Sequence, residues 1–251
     1  RILRPLHWCG HLQSFLWDSC CPRVVMGMPR GPTVLVTLAF IGAAHAQLPA
    51  QDTTAIAEDM TVLNATLTNN FFTEITLKTS MVMYENVTWE ITRSVKLVGR
   101  CGGPCEFDGV DKQDLLHIKP LNPRQSIRVE MTGFRFLNGN AKKKSPQMGG
   151  GVVVFPGAEF VATGCTFTEN FAADGGGALL VMAGGKATLR SCSMQSNVAP
   201  SGSGDAWVMA GGELSSKGLT SSEPSGPALY AEEGGIIEFT DPPPPPPLPP
   251  P

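Results

Sequence analysis

Three aspartates, Asp108, Asp111 and Asp114, form the best acidic cluster of the chain, just after Cys101-Gly102-Gly103-Pro104-Cys105. Carboxylates grouped in this way could ligate calcium or serve as general acid and base. Calcium takes about six to eight oxygens, and this stretch has no loop pattern that supplies them, so a solvated turn is the simpler account. The Cys-x-x-x-Cys pair could suggest zinc, yet no second cysteine pair follows and His117 is the only histidine after residue 46. A local disulfide between Cys101 and Cys105 fits a glycine-rich loop better. One histidine flanked by Leu115, Leu116 and Ile118 supports no serine–histidine–acid constellation and reads as a strand residue. No catalytic residue, metal ligand or cofactor is therefore assigned. The neighbourhood of Arg100, Arg124 and Arg128 keeps an enzymatic alternative open for these aspartates.

Two other groups can recognise a ligand without transforming it. Lys142, Lys143 and Lys144 lie in a long loop, where they are either plain solvated charges or an anchor for sulfated or uronic polysaccharide. Trp207 and Tyr230 occupy matching positions of a repeat, where they are either core or an exposed platform on which sugar rings stack. The strand carrying them is apolar at both parities, so the sequence leaves that choice open.

The elements that position these residues come from a degenerate repeat between about Val129 and Phe239. Glycines at 157, 184, 211 and 234 are spaced by 27, 27 and 23 residues. A period in the twenties marks a solenoid, in which one coil buries its apolar face only by stacking on the next. Aligning the glycines places Val129, Met131, Phe134 and Phe136 under Phe160, Ala162, Cys165 and Phe167. Above these come Ala187, Leu189, Cys192 and Met194, then Leu214, Ser216, Leu219 and Ser221. The shared two, three, two spacing predicts two short strands joined at a bend, both with one face inward. A third strand is expected at residues 152–155, 179–182, 206–209 and 229–232, entered through turns rich in glycine. Three strands and three corners per coil describe a parallel β-helix. Cys165 and Cys192 then become rung neighbours, as a disulfide or as stacked thiols. The one aligned column of charges, Glu159, Lys186 and Glu213, reads as a stabilising surface ladder.

Asn170 and Asn197 follow the last inward residue of their coils by three, where an asparagine tolerates a left-handed backbone and bonds its neighbours. Together with Gly176-Gly177-Ala178, these turns resemble right-handed β-helix proteins of the pectin lyase-like class, and especially polymorphic outer-membrane-protein repeats. The resemblance covers about residues 95–240, and the first coil departs from it with Gly139 in the asparagine position. It implies an all-β, right-handed parallel β-helix, with a polysaccharide lyase or glycoside hydrolase as one alternative function and a surface adhesin as another. A glycosidase needs two carboxylates flanking the scissile bond, and matching repeat positions do not supply them, since Asp174 aligns with Ser201 and Asp205 with Ala178.

Residues 33–43 form an apolar run, followed by Ala44-His45-Ala46, a small-x-small cleavage site. Residues 26–46 are thus expected to be a signal peptide, with a buried segment of the fold as the alternative, and the run is too short to span a bilayer. Residues 1–25 read as a non-native upstream extension. The domain proper is expected over 47–241, followed by a polyproline segment at 242–251. Residues 47–251 carry 15 basic and 21 acidic side chains, a net of −6, so no electrostatic basis for nucleic-acid binding exists. Ile56, Met60, Leu63 and Leu67, after Asp52 and Thr53, predict a short helix lidding the first coil. Asn64-Ala65-Thr66 and Asn86-Val87-Thr88 are N-glycosylation triplets in a secreted chain. A secreted solenoid with a proline rod looks like modular wall and matrix glycoproteins of green algae. The expected role is a non-catalytic protein of the cell wall or extracellular matrix, structural or carbohydrate-binding, with polysaccharide or matrix glycoproteins as partners.

Overall fold

A computed structural model of the chain describes residues 53–83, 88–142, 147–221 and 228–240. The chain enters through β1 (Thr54–Ala57) and α1 (Met60–Thr68) and then winds through coils of three strands each. The first two coils are β2 (Glu74–Leu77), β3 (Met81–Val82) and β4 (Trp89–Ile91), then β5 (Val95–Gly99), β6 (Cys105–Asp108) and β7 (Leu116–Ile118). Next come β8 (Ile127–Thr132), β9 (Phe134–Leu137) and β10 (Val152–Val154), then β11 (Ala158–Thr163), β12 (Thr166–Thr168) and β13 (Leu179–Val181). The last two full coils are β14 (Lys186–Arg190), β15 (Ser193–Gln195) and β16 (Ala206–Val208), and β17 (Glu213–Lys217), β18 (Thr220–Ser221) and β19 (Leu229–Ala231). A final strand, β20 (Ile236–Phe239), closes the described chain.

Every pairing is parallel and joins equivalent strands of successive coils. Sheet A runs β1-β2-β5-β8-β11-β14-β17-β20, sheet B β3-β6-β9-β12-β15-β18 and sheet C β4-β7-β10-β13-β16-β19. The fold is an all-β parallel β-solenoid. The register agrees with the aligned columns: Val129, Phe160, Ala187 and Leu214 pair in line, as do Phe136, Phe167, Met194 and Ser221.

The interior follows from alternation. Phe107, Phe134, Phe136, Phe160 and Phe167 are fully buried, and rings stack up the axis from Trp89 to Phe107 at 5.1 Å, to Phe136 at 5.8 Å and on to Phe167 at 5.1 Å. Offset aromatic stacks at this separation add about 0.5–1.5 kcal/mol per pair beyond burial. Two corners are set by left-handed backbone. Between sheets A and B the residue is Gly133, Gly164, Ser191 or Gly218, and between C and A it is Gly157, Gly184, Gly211 or Gly234, all at positive φ.

Two expectations are corrected at this level. The helix begins at Met60 rather than after Asp52 and Thr53, and its cap is Asp59, whose Oδ1 accepts from Val62 N–H at 2.8 Å. Ile56 belongs to β1, which pairs with β2, and is exposed. A four-residue apolar segment at a sheet edge carries too little periodicity to separate helix from strand. The helix does meet the first coil: Trp89 donates its indole N–H to Asn64 at 3.0 Å. Arg93 donates to the carbonyls of Leu67 and Thr66, where a cation complements a helix C-terminus. Burial of the Arg93 guanidinium lowers its pKa.

The second correction concerns the asparagine corners. The left-handed residues just after β9, β12 and β15 are Asn138, Glu169 and Ser196, the last two standing one position before Asn170 and Asn197. Asn170 is fully buried and instead acts through its amide. Its Oδ1 accepts from Gly139 N–H, and its Nδ2 donates to Phe136 O and to Asn197 Oδ1, each at 3.0 Å.

Candidate ligand-binding surface

The outward column of sheet C reads Glu90, His117, Val153, Leu180, Trp207 and Tyr230, in register on successive rungs. Outward residues of a solenoid are expected to be polar, yet Val153 and Leu180 are buried. The cause is the glycine-rich corners entering β10, β13 and β16, which fold back over the outer face. A Cβ on Gly149 would stand 2.4 Å from Val153 Cγ2 and 3.0 Å from Leu180 Cβ, and Gly149 sits at φ +74°. Only glycine permits that approach. Both parities of the strand are apolar because both faces are covered.

One coil later the same device holds an indole. Added Cβ atoms on Gly175 and Gly202 would fall 2.1 and 2.4 Å from the Trp207 ring, so the ring lies on bare backbone. Its Nε1 donates to Glu232 Oε1 at 3.0 Å, and Glu232 Oε2 accepts from Ala210 N–H at 3.0 Å. Tyr230, on the next rung, places its ring 4.4 Å from that of Trp207 at 50°, and it is 47% exposed. The two rings wall a notch completed by Ser201, Ser203 and Leu229. Trp207 is thus neither core nor a flat platform, but a half-buried wall, and Tyr230 is the solvent-facing one.

Lys142 is not part of this notch: its Nζ stands 4.4 Å above the Phe171 ring, a cation–π contact at the corner between sheets B and C. Lys143 and Lys144 lie outside the described residues, as does Asn86. Asn64 is exposed on α1. Cys101 and Cys105 are disulfide-bonded with a Cα separation of 5.2 Å, closing the corner between β5 and β6. Cys165 and Cys192 are buried free thiols on adjacent rungs. The Cys165 pKa is raised well above its ordinary value by the hydrogen bond to Cys192 and by burial.

The three aspartates diverge. Asp108 accepts from Val110 N–H and Asn138 Nδ2, each at 2.9 Å, an Asx turn tied to the next coil. Asp111 sits at positive φ. Asp114 is buried, accepts from the Thr88 hydroxyl at 2.7 Å and contacts His117 Nε2. That histidine–aspartate contact was illegible in the sequence, where His117 looked like an isolated strand residue; the i,i+3 spacing of the pair was the available signal. Among the described residues, no group of three His, Cys, Asp or Glu could hold a metal ion, and no helix is long and apolar enough to cross a membrane.

Arg128 extends the aligned triplet of sheet A by one rung, and Glu74, Lys96 and Glu130 form a second column beside it. Lys186 meets Glu213 at 2.6 Å, Arg128 contacts Glu159 and meets Glu130 at 2.7 Å, and Lys96 meets Glu74 at 3.0 Å. Hydrogen bonds to Glu130 and Glu159 raise the Arg128 pKa. These exposed pairs of opposite sign engage one another across and along the rungs. No family model, curated protein or solved structure matches the chain.

Proposed function

We propose that this chain is a secreted, non-catalytic β-solenoid of the cell wall or extracellular matrix that binds polysaccharide or matrix glycoproteins through the Trp207–Tyr230 notch. The observation carrying this reading is the exposed Tyr230 ring beside an indole held in place by Gly175, Gly202 and Glu232. Fixed aromatic surface with hydroxyls at its rim suits a sugar, which offers C–H faces to rings and hydroxyls to serines. The solenoid supports the proposed likeness to pectin lyase-like proteins and outer-membrane-protein repeats only through its coil geometry, since fold alone does not assign activity. Asn64, exposed on its helix, and Asn86 are the proposed glycan acceptors, and residues 26–46 the proposed signal peptide.

A glycan-array screen of the secreted chain tests the reading. At least one glycan class should be retained, and Tyr230→Ala should weaken it. An array with no retained glycan would sink the proposal. The second reading, a polysaccharide lyase or hydrolase, draws on one observation: His117 is held by the buried Asp114, which Thr88 also bonds, as a general base is oriented by a carboxylate. Assays on pectin, polygalacturonate and alginate with calcium present should release no unsaturated or reducing ends. Turnover lost in His117→Ala would replace the binding reading with the enzymatic one.

A further inference from the structure

The charged group shown at the notch is a carboxylate, Glu232, which holds the indole wall. Among the described residues after Lys217, Glu232 and Glu233 follow β19 directly, Glu238 lies on β20 of sheet A, and no lysine or arginine occurs. None occurs between Arg190 and Lys217 either, the stretch that supplies Ser201, Ser203 and Trp207. Glu232 bonds the indole and the Ala210 amide through its two oxygens, and Glu233 beside it is exposed. Of the three loop lysines, Lys142 is engaged with Phe171, and Lys143 and Lys144 lie outside the described residues. Sulfated or uronic sugars would meet the Glu232 carboxylate beside the indole, and like charge opposes them.

Aromatic faces attract cations electrostatically, through the negative potential above the ring, and the attraction grows where a ligand is partly desolvated. Trp207 and Tyr230 are tilted at 50° rather than coplanar, so they wall a compact group better than they support a flat ribbon of rings. The indole and Glu232 are already fixed by backbone and by each other, so a ligand meets a negative field without ordering those side chains.

We propose that the notch binds an amino sugar carrying a free ammonium, as a unit of a cationic polysaccharide. The ammonium sits against the aromatic walls within the field of Glu232 and Glu233, and the Ser201 hydroxyl is available to the ring hydroxyls. This inference rests on the carbohydrate-binding reading and narrows it from polysaccharide in general to a cationic one.

The test is calorimetric and fluorescence titration of the full chain with β-1,4-linked glucosamine oligosaccharides, their N-acetylated counterparts and oligogalacturonate. The free amine should bind about tenfold or more tighter than the acetylated form, the uronate should not bind, and added salt should erode the preference. Tyr230→Ala should abolish binding, and Glu233→Gln should lower the preference while leaving the acetylated ligand unaffected. Tyr230 is half exposed, so its truncation leaves the fold intact, and a circular dichroism spectrum identical to the parent's verifies this. Equal binding of acetylated and free forms would overturn the charge assignment and leave the carbohydrate reading standing. Binding of neither oligosaccharide on a glycan array that does retain another glycan would have the same meaning. An array with no retained glycan would remove both, and binding that survives Tyr230→Ala would overturn the placement of the site.

Discussion

Asn170 donates from Nδ2 to Asn197 Oδ1 at 3.0 Å, and the same Asn197 oxygen accepts the Asn170 backbone N–H at 3.1 Å, so two coils are stitched side chain to side chain at the corner between sheets B and C. Asn197 in turn donates to Phe167 O at 3.1 Å and to Asp205 Oδ1 at 2.9 Å. The bonds turn a corner that lacks a continuous strand ladder into a satisfied polar column.

Asn170→Ala should therefore be severe. It leaves the Gly139 N–H and the Phe136 carbonyl without their side-chain partner in a buried place, at about 1–3 kcal/mol for each orphaned group. Urea unfolding should show a loss of about 2–5 kcal/mol, and a loss below 1 kcal/mol would mean that the ladder contributes little.

Phe167 tests the interior. It is fully buried and stacks on Phe136, so Phe167→Ala should cost about 3–5 kcal/mol. The expected readout is a lower urea midpoint with an unchanged slope; an unaltered midpoint would contradict the stacked register.

Ser191 occupies a corner that glycine fills on neighbouring coils, at φ 50° with its side chain exposed. Left-handed backbone costs an L-residue about 1–2 kcal/mol. Ser191→Gly should raise the melting temperature, with a gain near 1 kcal/mol after the extra chain entropy of glycine is subtracted.

The thiol pair predicts a pH dependence. Unfolded Cys165 titrates near its ordinary 9.0, whereas the folded thiol titrates well above it because it donates to Cys192 and is buried. Its contribution is complete below about pH 9 and declines as pH rises from there toward the folded value. A Cys165→Ala, Cys192→Ala double variant should show a shallower loss of stability above pH 9. Native-state alkylation should spare both thiols, and peptide mapping in urea should find them modified while Cys101 and Cys105 are not. Protection that is absent in the folded protein would contradict their burial.

Gly175→Ala probes the aromatic notch from below. The new methyl would enter the Trp207 ring, so the indole must move and its bond to Glu232 must break. A shift in tryptophan emission and lost glycan binding are expected, whereas Gly103→Ala, with open space around its Cβ position, should leave both unchanged.

Much of the solenoid was legible because inward alternation is local and repeated. The columns from Val129 to Leu214 and from Phe136 to Ser221, and the Glu159, Lys186 and Glu213 rungs, all follow from one inward pattern aligned over four coils. What only the tertiary structure decided lies where different segments converge. Periodicity could not say whether Trp207 faces core or solvent, because the covering corners at Gly175 and Gly202 reach it through backbone course rather than residue pattern. It misplaced the helix start, because pairing with β2 claims Thr54–Ala57 for a strand. It separated Asp114 from His117, which meet only once β7 fixes the histidine on the outer face, and it gave Asn170 a backbone role when burial made its amide the group that must be satisfied. An alternating sequence determines which side chains point inward, but the cover over the outward ones depends on how loops from neighbouring coils fold back, which no local spacing records.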